Sequence, residues 1–439
     1  MGRYAEYKDS GLEWIGEIPA HWTVSRIKYI VDESHIYAIG DGDHGIVKVD
    51  DYLSEGIPYI RVLNLTWGNG LKMENMVYIS EEMNHKIRNS TLRPKDLLIA
   101  KTGATIGKTA IVPDNLPISN TTSHVGKITL SKSHYPKFFF HVLNSPIIKK
   151  QIDDISTMQS TRPEIGIDGL KNLIVVAPPV TEQQTIADFL DAKCAKLDSI
   201  IENYASHISM LTRYKRDLIA QCVTKGLDKS APMKPSGEDW IGDVPEHWNI
   251  TKLKWMFEIV KRIYGKEDRD VLAITQQGIK LKDMESNRGQ YAESYATYQI
   301  VNVNDFAMNS MDLLTGWVDC SPYEGVTSPD YRVFRFYEDK PQCHAYFKYL
   351  FQMCYTNRIF YRLGQGVSNL GRWRLQTDQF RNIKLPQPPV EEQEQIAAYL
   401  DKKTGQIDAV AADIEAQIQK LKDYRRLLIH DAVTGKIKI

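Results

Sequence analysis

Lys8-Asp-Ser-Gly-Leu-Glu-Trp14-Ile-Gly-Glu-Ile-Pro19-Ala-His21-Trp22-Thr-Val-Ser-Arg-Ile-Lys28 is written again at 234–254. The second copy is Lys234-Pro-Ser-Gly-Glu-Asp-Trp240-Ile-Gly-Asp-Val-Pro245-Glu-His247-Trp248-Asn-Ile-Thr-Lys-Leu-Lys254. Trp14, Ile15, Gly16, Pro19, His21 and Trp22 match Trp240, Ile241, Gly242, Pro245, His247 and Trp248. A second pair follows at a different offset, Ala177-Pro-Pro-Val-Thr-Glu-Gln-Gln184 and Gln387-Pro-Pro-Val-Glu-Glu-Gln-Glu394, each opening a long helical segment. A module and then a long helix, repeated once, makes a pseudo-twofold molecule. Such a molecule suits a target, or a set of partners, that is itself roughly twofold.

Outward from these repeats the chain falls into four segments: module 1–177, helix 178–228, module 229–387 and helix 388–439. At 439 residues it exceeds one ordinary core. Its formal net charge is zero, so an anion-binding face has to come from local arrangement. Cys194, Cys222, Cys320, Cys343 and Cys354 form an odd set without a Cys-x-x-Cys pair. That fits a reducing cytoplasm and argues against a disulfide framework or a thiolate zinc site. The opening Met-Gly-Arg-Tyr-Ala-Glu is polar and no run approaches eighteen apolar residues, so a soluble, cytoplasmic protein without a membrane partner is expected.

Within the modules, 57–65, 96–101, 109–112 and 125–130 read as strands and 135–148 as a helix. In the second copy, 271–275, 305–308 and 332–336 read as strands and 343–362 as a helix, so each module is α+β. The copies also align near their ends, Arg162 with Arg372, Asp168 with Asp378 and Asn172 with Asn382. Divergence concentrates between about 40 and 160 and between about 260 and 365.

The helical segments carry a series of residues at spacings of four and three, apolar or aromatic except for one lysine in each. The first runs Ile186, Leu190, Lys193, Leu197, Ile200, Tyr204, Ile208, Leu211, Tyr214, Leu218. The second runs Ile396, Leu400, Lys403, Ile407, Val410, Ile414, Ile418, Leu421, Tyr424, Leu428. This periodicity predicts coiled-coil seams and two antiparallel rods of roughly 60 Å. The partner-helix seam is assigned to Ile186, Leu190, Leu197, Ile208 and Leu211 with Ile396, Leu400, Ile407, Ile418 and Leu421. The alternative is that each helix docks on its own module as ordinary core. Thr181 with Gln184 reads as a capping box that starts the first helix; the second helix lacks the threonine.

Tandem modules opened by Trp-Ile-Gly-x-Ile/Val-Pro-x-His-Trp and closed by Pro-Pro-x-x-Glu-Gln before a heptad helix resemble the specificity subunit of type I restriction–modification enzymes. Asp96-Leu-Leu-Ile-Ala-Lys-Thr-Gly-Ala-Thr-Ile-Gly-Lys-Thr-Ala-Ile-Val112 is similar to the strand-loop-strand common in that family's target recognition domains. The resemblance spans the chain. It implies an α+β fold of two tandem target recognition domains separated by two long helices forming an antiparallel coiled coil. Each domain would read half of a split double-stranded DNA site. The helices would space the domains and dock two methyltransferase subunits, which work with restriction (translocase–nuclease) subunits. S-adenosylmethionine, ATP and Mg would sit on those partners, with no cofactor and no catalysis in this chain. The second module departs from the pattern, with Asn309-Ser-Met-Asp-Leu-Leu-Thr-Gly316 in the place of Lys101–Lys108.

The residues themselves carry little chemistry. Gly103-Ala-Thr-Ile-Gly-Lys-Thr109 has three residues between its glycines where a P-loop needs four, so a turn is expected. Pro329-Asp330 with Glu338-Asp-Lys340 spells a nuclease string, but the first module has no equivalent. A bidomain nuclease or methyltransferase, and a structural coiled-coil adaptor, are the alternatives to a recognition subunit. Candidate DNA contacts are Lys101, Thr102, Lys108, Gln159, Ser160 and Arg162 in the first module. In the second they are Gln276, Gln277, Asn369, Arg372 and Arg374, because Arg and Lys pair with guanine edges and Asn and Gln with adenine. No metal ligand or catalytic residue is assigned. The paired tryptophans at the module starts are expected in the core, whereas Trp67 and Trp373 suit core or DNA equally.

Overall fold

The computed structural model describes residues 2–68, 70–157, 163–283, 294–340, 342–366 and 373–439. The chain divides into two compact units, Met1–Tyr204 with Ala416–Ile439, and Ala205–Glu415. These units cut across the four linear segments because both long helices, Val180–Lys225 and Val390–Val433, contribute to each. Ile186, Ala187 and Leu190 of the central helix lie in the first unit's core, and its Cys222 and Val223 lie in the second's. The terminal helix does the reverse, with Ile396, Ala397 and Leu400 in the second core and Leu428, Ile429, Ala432 and Val433 in the first.

In the first unit an antiparallel sheet runs in the order Ile39–Gly40, Val125–Ile128, Leu97–Ala100, Thr109–Ile111. Leu97–Ala100 is buried on both faces. Alternation along the strand sends Leu97 and Ile99 into the main core and Leu98 and Ala100 into a second cluster with Ile60 and Val125. A smaller sheet orders Val77–Ile79, Ile57–Ile60 and Asn120–Thr121, the last pair parallel. The second unit repeats the larger sheet as Phe257–Val260, Arg332–Phe336, Phe306–Met308, Val318–Cys320. Phe306 and Met308 face the main core and Ala307 the smaller cluster, as in the first unit.

The expected strands are present, several of them shortened. The stretch 57–65 becomes a strand to Ile60 and then a 3-10 turn at Val62–Asn64. The 135–148 helix is two helices, Pro136–Leu143 and Pro146–Thr157, because Pro146 offers no amide hydrogen and disfavours helical geometry at Ser145. The 343–362 helix breaks between His344–Thr356 and Ile359–Leu363, where Arg358 takes a left-handed φ of 57°.

The two repeated motifs are the two halves of one joint. Thr23–Arg26 pairs antiparallel with Ile174–Ala177, and Asn249–Lys252 with Lys384–Gln387, so each module's opening strand lies beside the strand that feeds its long helix. His21 Nε2 is 2.9 Å from Glu182 Oε2, and His247 Nε2 is 2.8 Å from Glu392 Oε2. Trp22 and Trp248 are wholly buried beside these pairs, as expected for core anchors. Trp14 and Trp240 pack half-buried against the same cores.

Thr181 and Gln184 do not cap the central helix. Both long helices begin at the valine before that position, Val180 and Val390, and glutamine secures both starts. Gln183 Nε2 donates to Pro178 O and Gln393 Nε2 to Pro388 O, each at 2.8 Å. The Oε1 atoms accept from Tyr135 N at 2.8 Å and Cys343 N at 3.0 Å, the N-cap amides just before the helices Pro136–Leu143 and His344–Thr356. Both glutamines are buried, so Gln183→Ala leaves two backbone groups unmet, at roughly 1–3 kcal/mol each. We expect amide exchange in the first turn of Pro136–Leu143 to accelerate by at least roughly thirtyfold, the equivalent of ~2 kcal/mol, with His344–Thr356 unaffected. An unchanged rate would show that this clamp carries no stability.

The assigned seam divides. Ile186, Leu190, Ile396 and Leu400 are module core, and the docked-on-module alternative holds for these turns because their apolar face meets the strands and helices of the module first; Leu197 is buried but belongs to neither core cluster. Ile208, Leu211, Ile407, Ile418 and Leu421 are half-buried. Tyr214 and Tyr424 stand out of the seam, 56% and 51% exposed. Helix-to-helix ion pairs occur inside each unit. Lys215 Nζ meets Asp408 Oδ2 at 2.6 Å in the second, and Arg425 Nε meets Asp198 Oδ1 at 3.2 Å in the first.

Candidate nucleic-acid interface

The first unit's loop between Leu97–Ala100 and Thr109–Ile111 starts with Lys101. Its side chain is buried and its ammonium sits 2.6 Å from Asp41 Oδ2, so it is neutralised inside the unit. The candidate contact Lys101 thus sits in an internal ion pair with Asp41. Thr102 Oγ1 lies 3.1 Å from His124 Nδ1, and a 3-10 turn over Gly103–Thr105 follows. Gly103, at φ 66°, donates its amide to Pro163 O at 2.9 Å, and Ile165 N donates to Lys101 O at 2.9 Å. Gln159, Ser160 and Arg162 lie outside the described residues. Pro163, directly after them, is joined to the Lys101–Lys108 loop.

His44, Lys101, Thr102, Ser123, His124 and Glu164 line a hollow of about 150 Å³ beside that junction. Lys108 is half-buried, with its carbonyl accepting from Ala100 N at 2.7 Å. Trp67, open between core and DNA in the sequence, is 54% exposed. Its loop is closed by Thr66 Oγ1 donating to Gly70 O at 2.8 Å, and Lys149 Nζ sits 5.8 Å above the ring.

In the second unit Gln276 and Gln277 form the exposed two-residue tip between Leu272–Thr275 and Gly278–Leu281. Gly278, at φ 100°, and Thr275 Oγ1 donating to its carbonyl at 2.8 Å set the turn. Gln276 Nε2 donates to Thr315 O at 3.2 Å, and Lys280 Nζ donates to Gln277 Oε1. Thr315 belongs to Asn309–Gly316, which links neighbouring strands of the large sheet as Lys101–Lys108 does in the first unit. The departure in sequence therefore keeps its place in the fold and changes what it presents.

Arg374 is exposed, and its backbone exchanges two 3.0 Å hydrogen bonds with Gln365. Asn369 and Arg372 lie outside the described residues. Trp373 packs half-buried against Tyr361, ring centroids 4.7 Å apart. Sequence reading missed Arg332 as a support for this segment. Arg332 is buried, donates from Nη2 to Leu375 O at 2.9 Å and lies 4.5 Å over the Phe380 ring; burial pushes its guanidinium down to about 10. An arginine in the apolar run Arg332-Val-Phe-Arg-Phe336 was the available signal.

The nuclease string does not converge. Lys340 Nζ donates to Trp255 O at 3.1 Å, Glu338 lies 3.7 Å from Arg335, and Asp330 faces solvent. Among the described residues no group of three or more His, Cys, Asp or Glu side chains is placed to hold a metal ion. No helix among them is long and apolar enough to cross a membrane.

A sequence model of the type I restriction modification DNA specificity domain matches residues 35–205 and again 245–420. The chain is 22% identical to a putative type I restriction enzyme MjaX specificity subunit of Methanocaldococcus jannaschii, over 97% of this chain and 96% of that protein. It is 26% identical to the type I restriction enzyme EcoBI specificity subunit of Escherichia coli, over 45% of this chain and 40% of that protein. A solved chain from work on complex assembly and conformational transition of the type I R-M system shares the fold, with a TM-score of 0.69 at 14% identity over 96% of this chain and 99% of that one.

Proposed function

This chain belongs to the type I restriction–modification DNA specificity family, whose members are non-catalytic recognition components, and on that premise we propose that it reads a bipartite double-stranded DNA target, one half with each unit. The observation that carries this is one frame holding two different middles. The His–Glu pair, buried tryptophan and glutamine clamp recur, while the loop after Leu97–Ala100 and that after Phe306–Met308 present different side chains. Thr102, Lys108, Gln276, Gln277 and Arg374 supply donors on these surfaces; for Gln159, Ser160, Arg162, Asn369 and Arg372 the assignment rests on sequence alone.

The long helices space the units and dock two methyltransferase subunits, which act with restriction subunits; S-adenosylmethionine, ATP and Mg belong to those partners. Antiparallel pairing is supported by Lys215–Asp408 and Asp198–Arg425, whose residue numbers have the same sum, so one antiparallel register serves both. Mapping methylated adenines in a host that expresses the complex tests the reading. A split, asymmetric motif is expected, and exchanging residues 30–170 for those of a relative should replace one half-site and leave the other. A continuous or palindromic motif, or change at both halves, would refute independent reading by two units.

A further inference from the structure

The opening repeat continues beyond Lys28 and Lys254. Residues 23–30 are Thr-Val-Ser-Arg-Ile-Lys-Tyr-Ile and residues 249–256 are Asn-Ile-Thr-Lys-Leu-Lys-Trp-Met. In each unit the strand passes into a 3-10 turn, Ile27–Tyr29 and Leu253–Trp255. Ile27 N donates to Leu173 O at 3.0 Å and Leu253 N to Ile383 O at 2.8 Å, fixing both turns to equivalent neighbours. Ile27 and Ile30 are buried in one unit, Leu253 and Met256 in the other. That register turns the aromatic between them outward. Tyr29 is 68% exposed and Trp255 58%. Lys28 Nζ lies 5.1 Å from the Tyr29 ring centroid, and Lys254 Nζ 5.5 Å from that of Trp255.

We propose that Lys28–Tyr29 and Lys254–Trp255 are equivalent docking points for two copies of one protein subunit. The subunit's identity as the methyltransferase rests on the functional reading above. Single exposed aromatics need no explanation, but the same aromatic–ammonium pair at the same point of two frames does. The units differ where bases would be read, so a feature kept in both cannot discriminate sequence. It meets something alike on both sides. A DNA backbone is also alike on both sides and would engage the ammonium groups of Lys28 and Lys254, but it gives the two rings no surface to be buried against. A ring more than half exposed on a fixed turn contributes by being desolvated against a protein surface, where Trp and Tyr dominate binding.

The test uses the full-length chain co-expressed with the adenine methyltransferase subunit, examined by native mass spectrometry and subunit titration. The unaltered chain should hold two copies. Tyr29→Ala and Trp255→Ala should each weaken one copy by roughly thirtyfold, as expected of an interface hot spot, and the double variant should weaken both. Tyr29→Phe and Trp255→Phe should stay within about threefold. Melting temperatures should not move, since neither ring lies in a core; if an alanine variant melts lower, Tyr29→Lys and Trp255→Lys decide instead. Two tight copies on the double variant would overturn the proposal. So would lost affinity for the target duplex with both copies retained, which would assign the rings to DNA. An unaltered chain that does not hold two copies would defeat the functional reading beneath it, and this inference with it.

Discussion

Deletion of residues 416–439 is expected to unfold the first unit and leave the second folded. The lost segment carries Leu428, Ile429, Ala432 and Val433, all buried in the core that contains Ile15, Ile18 and Trp22. At roughly 2 kcal/mol for each large aliphatic side chain, their removal costs about 6 kcal/mol, comparable with the whole ~5–15 kcal/mol of an ordinary domain. The junction is also shaped for this segment. Gly435 has φ 71° and no room for a Cβ against the Pro19 ring, Tyr7 Oη donates to its carbonyl at 3.1 Å, and Lys436 Nζ donates to Glu17 O at 2.6 Å. Limited proteolysis of the truncated chain should therefore cut first within residues 2–204, although the deletion lies more than two hundred residues away in sequence. First cleavage within 205–415 would show that the units do not divide at Tyr204 and Glu415.

Lengthening the helices should change the spacing between half-sites. Tyr204 and Glu415 are where the central and terminal helices pass from one unit to the other. An insertion in one helix alone would shift its partner's register, so four residues are added after both Tyr204 and Glu415. At 1.5 Å per residue the added length is about 6 Å, close to two base pairs at ~3.4 Å each. Four residues also overshoot a full helical turn by roughly 40°, and DNA twists over the same step, so partial loss of activity accompanies the new spacing. Methylation of a target library in which only the spacer varies gives the answer. An active, folded variant with unchanged spacer preference would leave the helices as docking surfaces and nothing more.

The frame was legible in the sequence because it is repeated and because its rules are local. Strands 97–100 and 306–308 show as short apolar runs, and the Trp-Ile-Gly and Pro-Pro motifs mark the joints. What was not legible depends on partners distant in sequence. Lys101 looks like a free cation in a Gly-rich loop until Asp41, sixty residues earlier, is brought to it. A heptad pattern states that a helix has an apolar face but not what meets it; hence Leu190 and Leu400 are module core while Tyr214 and Tyr424, in the same pattern, are exposed. Thr181 has the right spacing for a cap, yet a buried glutamine two residues on starts the helix earlier. Pro146 and Arg358 interrupt helices that composition alone runs through.

One unit is continuous in sequence and the other is closed by residues 416–439, which sets a timetable for the ribosome. The unit begun first is finished last. After Tyr204 is made, 224 further residues must be added before Leu428 exists and 229 before Val433, a wait of about 11–46 s at ~5–20 residues per second. Throughout that interval the part of the core around Trp22 and Ile18 that those side chains cover stays uncovered, while residues 205–415 can complete themselves. The nascent N-terminal part is thus the stretch most in need of a holding chaperone, and emergence of residues 416–439 is the event that completes its core.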